Sequence, residues 1–265
     1  MRKFIPAWLG RILRRIRIWH ERVTFRVRQV RHTYGGEPLI VELRDPGSAG
    51  WYDHDWDPLP ELEFLREQGM GAGKRIFDIG AHQGVVAMMI SRMVAPGEVV
   101  AVEANLFNAD AATRNAELNR LENLRVVHGA ISSTSGELLI SADFNAHVSK
   151  HRATSSRVRA YTIDELAGIH GEPDVLFIDV EGFEIEALKG AQETMRNGKN
   201  CFVEVHVGCG LENFGGSAAE VLHYFPEGRY ELFYKYEEDK EFKPLTDRNQ
   251  LPGRRFFLIA CVAQR

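Results

Sequence analysis

The stretch RIFDIGAHQGVVAMMI, residues 75–90, decides the fold class of this chain. It begins with a short segment rich in Ile and Phe, which is typical of a strand covered on both faces of a sheet. The segment contains Asp78 and leads into two glycines, Gly80 and Gly84, after which an apolar helical stretch starts at once. Glycine permits a tight strand-to-helix turn and a close approach of backbone to a ligand. The stretch therefore predicts a strand, a ligand-binding loop and a helix.

The same rhythm continues along the chain. Segments rich in Val, Ile and Phe are predicted as buried strands at 75–79, 98–103, 124–129, 174–179 and 200–206, with helical stretches at 85–94, 108–121 and 183–196. Strands that alternate with helices predict an α/β fold, a doubly wound Rossmann-like sheet that is mostly parallel. After a helix at 217–225, two more strands, at 230–236 and 254–263, are expected to pair antiparallel at the sheet edge. Residues 137–162 interrupt the rhythm, and an exposed loop between two short strands is expected there.

Composition and charge exclude several classes of protein. The 265 residues are 44% hydrophobic and 26% charged, which is ordinary for a soluble globular chain. The net charge of −4 makes a bulk polyanion binder improbable, so no nucleic-acid partner is expected. Cys201, Cys209 and Cys261 are an odd set without metal-like spacing, which favours a reducing, cytoplasmic compartment. The longest apolar run, Phe256–Ala263, is far shorter than the roughly 20 residues of a membrane span.

The first 32 residues are strongly basic. They hold ten Lys and Arg residues and one Glu, whereas the rest of the chain holds 23 basic and 36 acidic residues. Large apolar residues from Ile5 to Trp19 recur at steps of three and four, which predicts an amphipathic helix that ends near His20. The favoured interpretation is that this helix packs on the main domain. Two alternatives are that it lies on an anionic membrane surface through residues 1–20, or that it contacts a macromolecular partner. Membrane contact would make a cytoplasmic protein peripheral to the membrane.

The glycine loop and an acid 25 residues later predict the kind of ligand. The second strand ends in Glu103, and a carboxylate there can accept hydrogen bonds from both hydroxyls of an adenosine ribose. A dinucleotide site would follow the pattern G-x-G-x-x-G, but His82 stands at the second glycine of that pattern. Asp78, which precedes the loop, would repel a pyrophosphate and is expected to accept hydrogen bonds from N–H groups of the loop. An adenosine ligand without phosphates is therefore favoured, and S-adenosylmethionine is the common one.

A second group of polar residues follows the fourth and fifth predicted strands. Asp179 and Glu181 come after the fourth strand, and Glu204 and His206 end the fifth. Because the carboxyl ends of parallel strands meet at one edge, these side chains are expected to face one crevice, where catalytic groups collect. These four residues could bind a metal ion, but their spacing in the sequence does not match a metal-binding motif, so no metal is predicted. Glu184 is expected to be a solvated acid that stabilises the start of its helix.

Several motifs in the right order resemble one protein family. The chain between residues 75 and 206 resembles the FkbM family of S-adenosylmethionine-dependent methyltransferases. The motifs that carry the resemblance are IFDIGAHQG, VVAVEAN, TIDEL, FIDVEGFEIEALKGA and VEVH. The resemblance implies a class I methyltransferase domain at 59–265, after a basic lead-in at 1–58. Its sheet would have the strand order 3-2-1-4-5-7-6 with an antiparallel last strand. It also implies transfer of a methyl group, mainly to hydroxyl oxygens of sugars and natural products.

The resemblance also implies the residues of the site. The cofactor loop would contain Asp78, Gly80, His82 and Gly84, and the cofactor's ribose would bind at Glu103, beside Ala104 and Asn105. The adenine ring would lie near Gly129 and Ala130. Asp179 and Glu181 would stand between the cofactor and the acceptor. The chain departs from the family pattern at two positions. His82 stands where the family usually has Asn, and Phe177 stands where it usually has Lys.

The expected chemistry needs a base. A hydroxyl that accepts a methyl group loses a proton, and the candidate bases are His206 and Asp179. His206 is preferred because a neutral imidazole suits physiological pH, and Asp179 would then position the cofactor or the acceptor. The acceptor is expected to be a sugar, a glycolipid or another natural product. The segment WYDHDWDP, residues 51–58, is either a polar linker or a lining of the acceptor pocket.

Two other functions stay open. A membrane-tethered protein could keep the cofactor fold without catalysis, and Phe177 is the residue that keeps this interpretation open. A nicotinamide-dependent oxidoreductase is disfavoured by His82 in the loop and by Asp78 before it.

Overall fold

The computed structural model describes residues 24–141, 148 and 155–263. The strands are β1 (Arg28–Tyr34), β2 (Glu37–Leu43), β3 (Arg75–Ile79), β4 (Glu98–Glu103), β5 (Leu124–His128), β6 (Ala130–Ile131), β7 (Gly136–Ser141), β8 (Ser155–Tyr161), β9 (Val175–Ile178), β10 (Asn200–Val205), β11 (Tyr230–Lys235), β12 (Lys243–Pro244) and β13 (Phe256–Val262). The helices are α1 (Pro46–Tyr52), α2 (Pro60–Glu67), α3 (Val85–Val94), α4 (Leu106–Leu118), α5 (Ile163–His170), α6 (Glu184–Lys189), α7 (Gln192–Arg196) and α8 (Ala218–His223). The amphipathic helix predicted for residues 1–20 lies outside the described residues. Within the described part of the chain, every helix falls short of the length and apolar character that a membrane crossing needs.

The central sheet has eight strands in the spatial order β12–β11–β13–β10–β9–β3–β4–β5. The strands from β10 to β5 run parallel, and β13 runs antiparallel to both of its neighbours. Apart from the short β12, this is the expected order 3-2-1-4-5-7-6 with an antiparallel last strand, so the predicted class I methyltransferase fold is confirmed. The chain order reverses between β3 and β9, and ligands of such sheets bind outside the carboxyl ends of the strands at that point.

Apolar residues cover both faces of this sheet. In β3, Ile79 belongs to one buried cluster and Ile76 to the other, as alternation along a strand requires. Leu188 of α6 packs on the first face, and Met88 of α3 packs on the second. The predicted bounds of β3, β4 and α3 agree with the structure.

The alternation of residues 21–31 predicts a strand in the lead-in, and the structure has β1 at Arg28–Tyr34 and a second strand, β2, that the sequence does not predict. β1 and β2 form an antiparallel hairpin whose turn uses Gly35 and Gly36 at positive φ. Leu39 of this hairpin is fully buried in the same cluster as α3. α1 then starts after Asp45, whose carboxylate accepts a hydrogen bond from the Ser48 N–H at 2.9 Å. The division of the chain after residue 58 stays a prediction, although the hairpin and α1 share a core with the sheet.

The two short strands expected at 137–162 are present as β7 and β8, and with β6 they form a small second sheet. The loop expected between them lies outside the described residues apart from residue 148. β8 pairs antiparallel with β7 and parallel with β6. Ile140 and Val158 pack with Ala130 of β6, and Ala104, which follows β4 of the central sheet, packs against this cluster. These apolar contacts place the sheet against the carboxyl edge of the central sheet.

The helix predicted at 183–196 is two helices, α6 and α7. They are separated at Gly190, where a Cβ atom would lie 2.3 Å from the carbonyl oxygen of Ser132. The backbone therefore needs glycine at this close approach, and the chain changes direction there.

Candidate active site

Glu103 organises the loop between β3 and α3. Its two carboxylate oxygens accept hydrogen bonds from the His82 N–H at 2.8 Å and from the Asn105 N–H at 2.7 Å. The sequence predicts an exposed acid at this position, but Glu103 is only 6% exposed because both backbone segments fold over it. Burial raises the pKa of Glu103 to about 7, although the hydrogen bonds from Asn105 and His82 oppose the rise.

Asp78 is buried beneath the same loop without a cation. It is 3% exposed, and its Oδ2 has no hydrogen-bond partner among the described residues. The sequence predicts that Asp78 accepts hydrogen bonds from the loop N–H groups. For the His82 N–H this prediction is wrong, because Glu103 accepts that hydrogen bond. Burial, followed by the charge of Glu103, raises the pKa of Asp78 to about 7. Asp78 thus contributes a buried, weakly acidic carboxyl group behind the loop.

Phe177 explains why Asp78 lacks a cation. The two residues are register partners in β3 and β9, so residue 177 lies beside Asp78. Phe177 is buried and stacks on Phe202, with ring centroids 4.0 Å apart. The lysine that the family resemblance implies at 177 would stand next to Asp78, whereas here the position completes an aromatic row in the core.

The two loop glycines have different roles. Gly80 has φ +95°, and a Cβ atom there would lie 1.7 Å from the carbonyl oxygen of Asp179. Gly84 has φ +82°, and a Cβ atom there would lie 2.9 Å from the Ala112 side chain on α4. Gly80 therefore brings the loop against the end of β9, while Gly84 permits α3 and α4 to pack closely.

His82 is also in the left-handed region, with φ 49°. Asn adopts this conformation more readily than most residues, which accounts for the Asn that the family resemblance implies here. The His82 Nδ1 forms a 2.6 Å hydrogen bond with the Tyr52 hydroxyl, and the Trp51 ring lies 5.0 Å from the His82 ring. Burial lowers the pKa of His82 to about 4, so the ring is neutral at pH 7. The segment from residue 51 therefore lies beside the loop, as the prediction of a pocket lining requires.

The conformation of His82 makes a prediction about stability. We expect His82→Val to lower the free energy of unfolding by about 1–2 kcal/mol more than His82→Asn, because a β-branched residue is strained at positive φ. Both variants lose the imidazole that contacts Tyr52, so the difference between their free energies of unfolding reports the backbone strain at residue 82. Urea unfolding measures it, and equal stability of the two variants would contradict the strain argument.

A cleft of about 420 Å³, counted with its open mouth, lies at the carboxyl edge of the sheet. Its lining includes the predicted residues Gly80, Glu103, Ala104, Gly129 and Ala130. The sequence analysis missed its apolar walls, which are Ile79, Val102, Ile131, Ile140, Val148, Val180 and Phe183. In the sequence these residues cannot be told from ordinary core residues at strand ends. The lining has one carboxylate and many apolar groups, which suits a ribose and an adenine ring.

A cluster of acids surrounds His206 at the ends of β9 and β10. The His206 Nδ1 donates a 2.7 Å hydrogen bond to Glu184 Oε1. The Nε2 atom lies 3.4 Å from Glu181 Oε2, 3.5 Å from Glu204 Oε1 and 3.8 Å from Asp179 Oδ1. The structure thus brings together the four residues that the sequence places in one crevice. Glu184 joins them, and it is fully buried, so its prediction as a solvated acid is wrong.

The electrostatics of this cluster change the expected role of His206. Burial alone would lower its pKa, but the hydrogen bond to Glu184 and the surrounding carboxylates outweigh burial and raise the pKa to about 9. The side chain is 2% exposed, against 37% for Asp179 and 32% for Glu181. A covered imidazole with a raised pKa is a poor base, which favours Asp179 over His206 for this role, and the identity of the base stays a prediction. Burial and the charge of Glu204 raise the pKa of Asp179 well above its ordinary value.

Glu181 and Gly182 form a strained turn next to the cluster. Both have positive φ, at 52° and 98°. A Cβ atom on Gly182 would lie 2.5 Å from the backbone of Gly210, so the loop after β10 packs directly on this turn. Positive φ at a residue such as Glu181 is unfavourable and often marks a functional site.

Comparison with known proteins gives a family match. The model of the Methyltransferase FkbM domain matches residues 78–232, more than half of the chain. The match begins at Asp78 and includes the glycine loop, Glu103 and the acidic cluster.

Individual relatives are more distant. The chain is 34% identical to a ribosomal protein L11 methyltransferase of Clostridium perfringens over 36% of this chain and 29% of that protein. It is 28% identical to the hexuronic acid methyltransferase AglP of Haloferax volcanii over 50% of this chain and 56% of that protein. The chain therefore spans less than two thirds of either relative. An O-methyltransferase from Bacillus cereus, solved in complex with SAH, has a TM-score of 0.47 and 20% identity over 82% of this chain and 86% of that one.

Proposed function

The chain belongs to the FkbM methyltransferase family, whose cofactor is S-adenosylmethionine, and we propose that it methylates a hydroxyl oxygen of a sugar, glycolipid or related natural product. The observation that carries this proposal is the contact between two parts of the site. Gly80 of the cofactor loop lies against the backbone of Asp179, which has a partly exposed carboxylate. A donor bound above Gly80 and an acceptor at Asp179 would meet at this contact, and such alignment is the main requirement of methyl transfer.

The residues of the cleft fit the cofactor. Glu103 has both carboxylate oxygens anchored by backbone N–H groups and lines the cleft, so it can accept hydrogen bonds from ribose hydroxyls. Ile131 and Phe183 offer apolar surface for an adenine ring. When bound, S-adenosylmethionine supplies an electrophilic methyl group on a positively charged sulfur. The buried Asp78 adds negative charge near that end of the loop when it is ionised.

We assign the base to Asp179. With the cofactor bound, the Asp179 carboxylate would take the proton of the acceptor hydroxyl as the methyl group passes to its oxygen, and the sulfonium would leave as the neutral thioether S-adenosylhomocysteine. Its raised pKa, caused by burial and by Glu204, makes it a stronger base than an ordinary carboxylate. Glu181, which is also partly exposed, can hold a second hydroxyl of the acceptor. His206 donates to Glu184 beneath them and stabilises the negative charges of the cluster.

The acceptor is proposed to be a carbohydrate. The name of the Haloferax relative is that of a sugar methyltransferase, and this supports a sugar acceptor without fixing it. Trp51 gives independent support, because it is 42% exposed and lies beside His82 of the cofactor loop. Aromatic rings provide rigid apolar area on which the apolar face of a sugar can stack.

Trp51 therefore carries a prediction. We expect Trp51→Ala to raise the KM for a sugar acceptor about tenfold, which corresponds to about 1.4 kcal/mol, without changing the affinity for S-adenosylmethionine. Ile169→Ala is the control, because Ile169 is exposed but lies near the start of β4, at the opposite sheet edge. Steady-state kinetics measure both variants, and an unchanged KM for Trp51→Ala would remove Trp51 from the acceptor site.

Methyl transfer to a panel of acceptors tests the proposed function. The purified chain is incubated with methyl-labelled S-adenosylmethionine and with hexoses, hexuronic acids and glycolipids. We expect acceptor-dependent S-adenosylhomocysteine and a labelled product that survives mild alkali, as a methyl ether does. An alkali-labile product would show methylation of a carboxylate instead. Cofactor binding without product from any acceptor would favour a binding protein that lacks catalysis.

A further inference from the structure

We infer that Asp179, Glu181 and His206 form a binding site for a divalent cation. One oxygen of each acid and one ring nitrogen of His206 lie within 4.8 Å of one another. The site stands on its own geometry, and its part in catalysis rests on the proposed function.

The orientation of His206 is the first argument. Its side chain is 2% exposed, and Nδ1 donates to Glu184 Oε1 at 2.7 Å. This hydrogen bond turns Nε2 toward the two acids. Histidines that bind metals usually donate their other nitrogen to a carboxylate or a carbonyl in this way, which fixes the tautomer and the ring plane.

The long contacts of His206 Nε2 and a buried Asp179 oxygen without a hydrogen bond also point to a ligand. The His206 Nε2 lies 3.4–3.8 Å from three carboxylate oxygens, beyond the usual length of an N–H···O hydrogen bond. The Asp179 Oδ1 is buried and has no hydrogen-bond partner in the described ranges. Buried polar atoms normally find a partner, and both of these atoms face the same small space. A cation between them would give the Asp179 oxygen a partner and would bind His206 Nε2 at a shorter distance.

The charges around this space also suit a dication. Arg255 pairs with Glu204 at 3.1 Å, and Glu184 accepts from His206 and from the Gly182 N–H. A cation that binds His206 Nε2 must displace the proton of this nitrogen, and Asp179 and Glu181 then contribute two negative charges beside the neutral ring.

The distances require little movement. A cation about 2.1 Å from each ligand holds neighbouring ligand atoms about 3.0–3.4 Å apart. The 3.4 Å between His206 Nε2 and Glu181 Oε2 already fits, and the 3.8 Å to Asp179 Oδ1 closes with a small rotation of a partly exposed side chain. Two carboxylates with one imidazole suit a divalent ion such as Mn²⁺, which prefers oxygen ligands. A hydroxyl bound to such an ion would lose its proton more easily.

Titration with Mn²⁺ tests the site without any acceptor. The full chain is stripped with EDTA, desalted and titrated while electron paramagnetic resonance follows free Mn²⁺. We expect one Mn²⁺ per chain with a micromolar Kd. Asp179→Asn and Glu181→Gln should each weaken binding at least tenfold. Both side chains are partly exposed, so we expect these variants to fold, and circular dichroism with S-adenosylmethionine binding checks this.

Glu212→Gln is the matched control. Glu212 is an exposed acid after β10 that accepts a hydrogen bond from the Gly208 N–H, and it is not one of the three ligands. It should bind Mn²⁺ like the unmodified chain. Absence of binding up to about 1 mM, or binding that survives both ligand variants, would overturn the inference. Mn²⁺ binding without methyl transfer would support the metal site and contradict the proposed function. Methyl transfer in EDTA by a chain that binds no Mn²⁺ would support the proposed function and contradict the metal site.

Discussion

Glu103→Ala is expected to weaken the binding of S-adenosylmethionine by a factor of about 100–10,000. Hydrogen bonds to a charged group contribute about 1.5–3 kcal/mol each, and Glu103 is positioned to accept two of them from the ribose. The variant also releases the backbone N–H groups of His82 and Asn105, which the carboxylate holds in place. Calorimetric titration measures the change. Glu98→Ala, at the other end of β4, is the control and should bind normally, so a similar loss in both variants would contradict the assignment.

The same residue predicts a pH dependence of cofactor affinity. The pKa of Glu103 is raised to about 7 by burial, and only its ionised form accepts both ribose hydroxyls. Affinity should therefore be constant above about pH 7 and should fall up to tenfold per pH unit below it. Glu103→Gln should flatten this dependence. Asp78→Asn should keep the slope and move its midpoint to lower pH, because the charges of Asp78 and Glu103 raise each other's pKa. A slope that persists in Glu103→Gln would assign the titration to another group.

Asp179→Asn is expected to lower kcat by about 100- to 10,000-fold, the usual contribution of a general base. Asn has nearly the shape of Asp but cannot take the hydroxyl proton. The affinity for S-adenosylmethionine should change little, because the cofactor contacts assigned here come from Glu103 and the apolar walls of the cleft. Single-turnover rates and calorimetry measure the two quantities.

Glu212→Gln again serves as the control for charge near the site. If Asp179→Asn keeps kcat within tenfold of the unmodified chain, Asp179 is not the base. His206 would then return as the candidate, despite its burial and its raised pKa.

The architecture of the central sheet could be predicted because its signal is local and strong. The bounds predicted for β3, β4 and α3 are those of the structure. Strands covered on both faces are almost continuously apolar, and glycines mark the turn between β3 and α3. The partnership of the loop with Glu103 was also predictable, because register in a parallel sheet places the ends of β3 and β4 side by side.

The parts that the sequence did not predict depend on contacts between distant residues. The buried position of Glu184 follows from a hydrogen bond to His206, which lies on a different strand end, and a first-turn acid is usually solvated. The small sheet of β6, β7 and β8 forms because Ile140 and Val158 pack on Ala130. His206 has an ordinary pattern in the sequence, and only the surrounding carboxylates show why its pKa is raised.

Calorimetric titration of the full chain with S-adenosylmethionine, S-adenosylhomocysteine and NAD tests the central claim most directly. We predict that the first two bind at one site per chain with micromolar affinity and compete with each other, and that NAD does not bind. Binding of NAD without binding of S-adenosylmethionine would contradict the account.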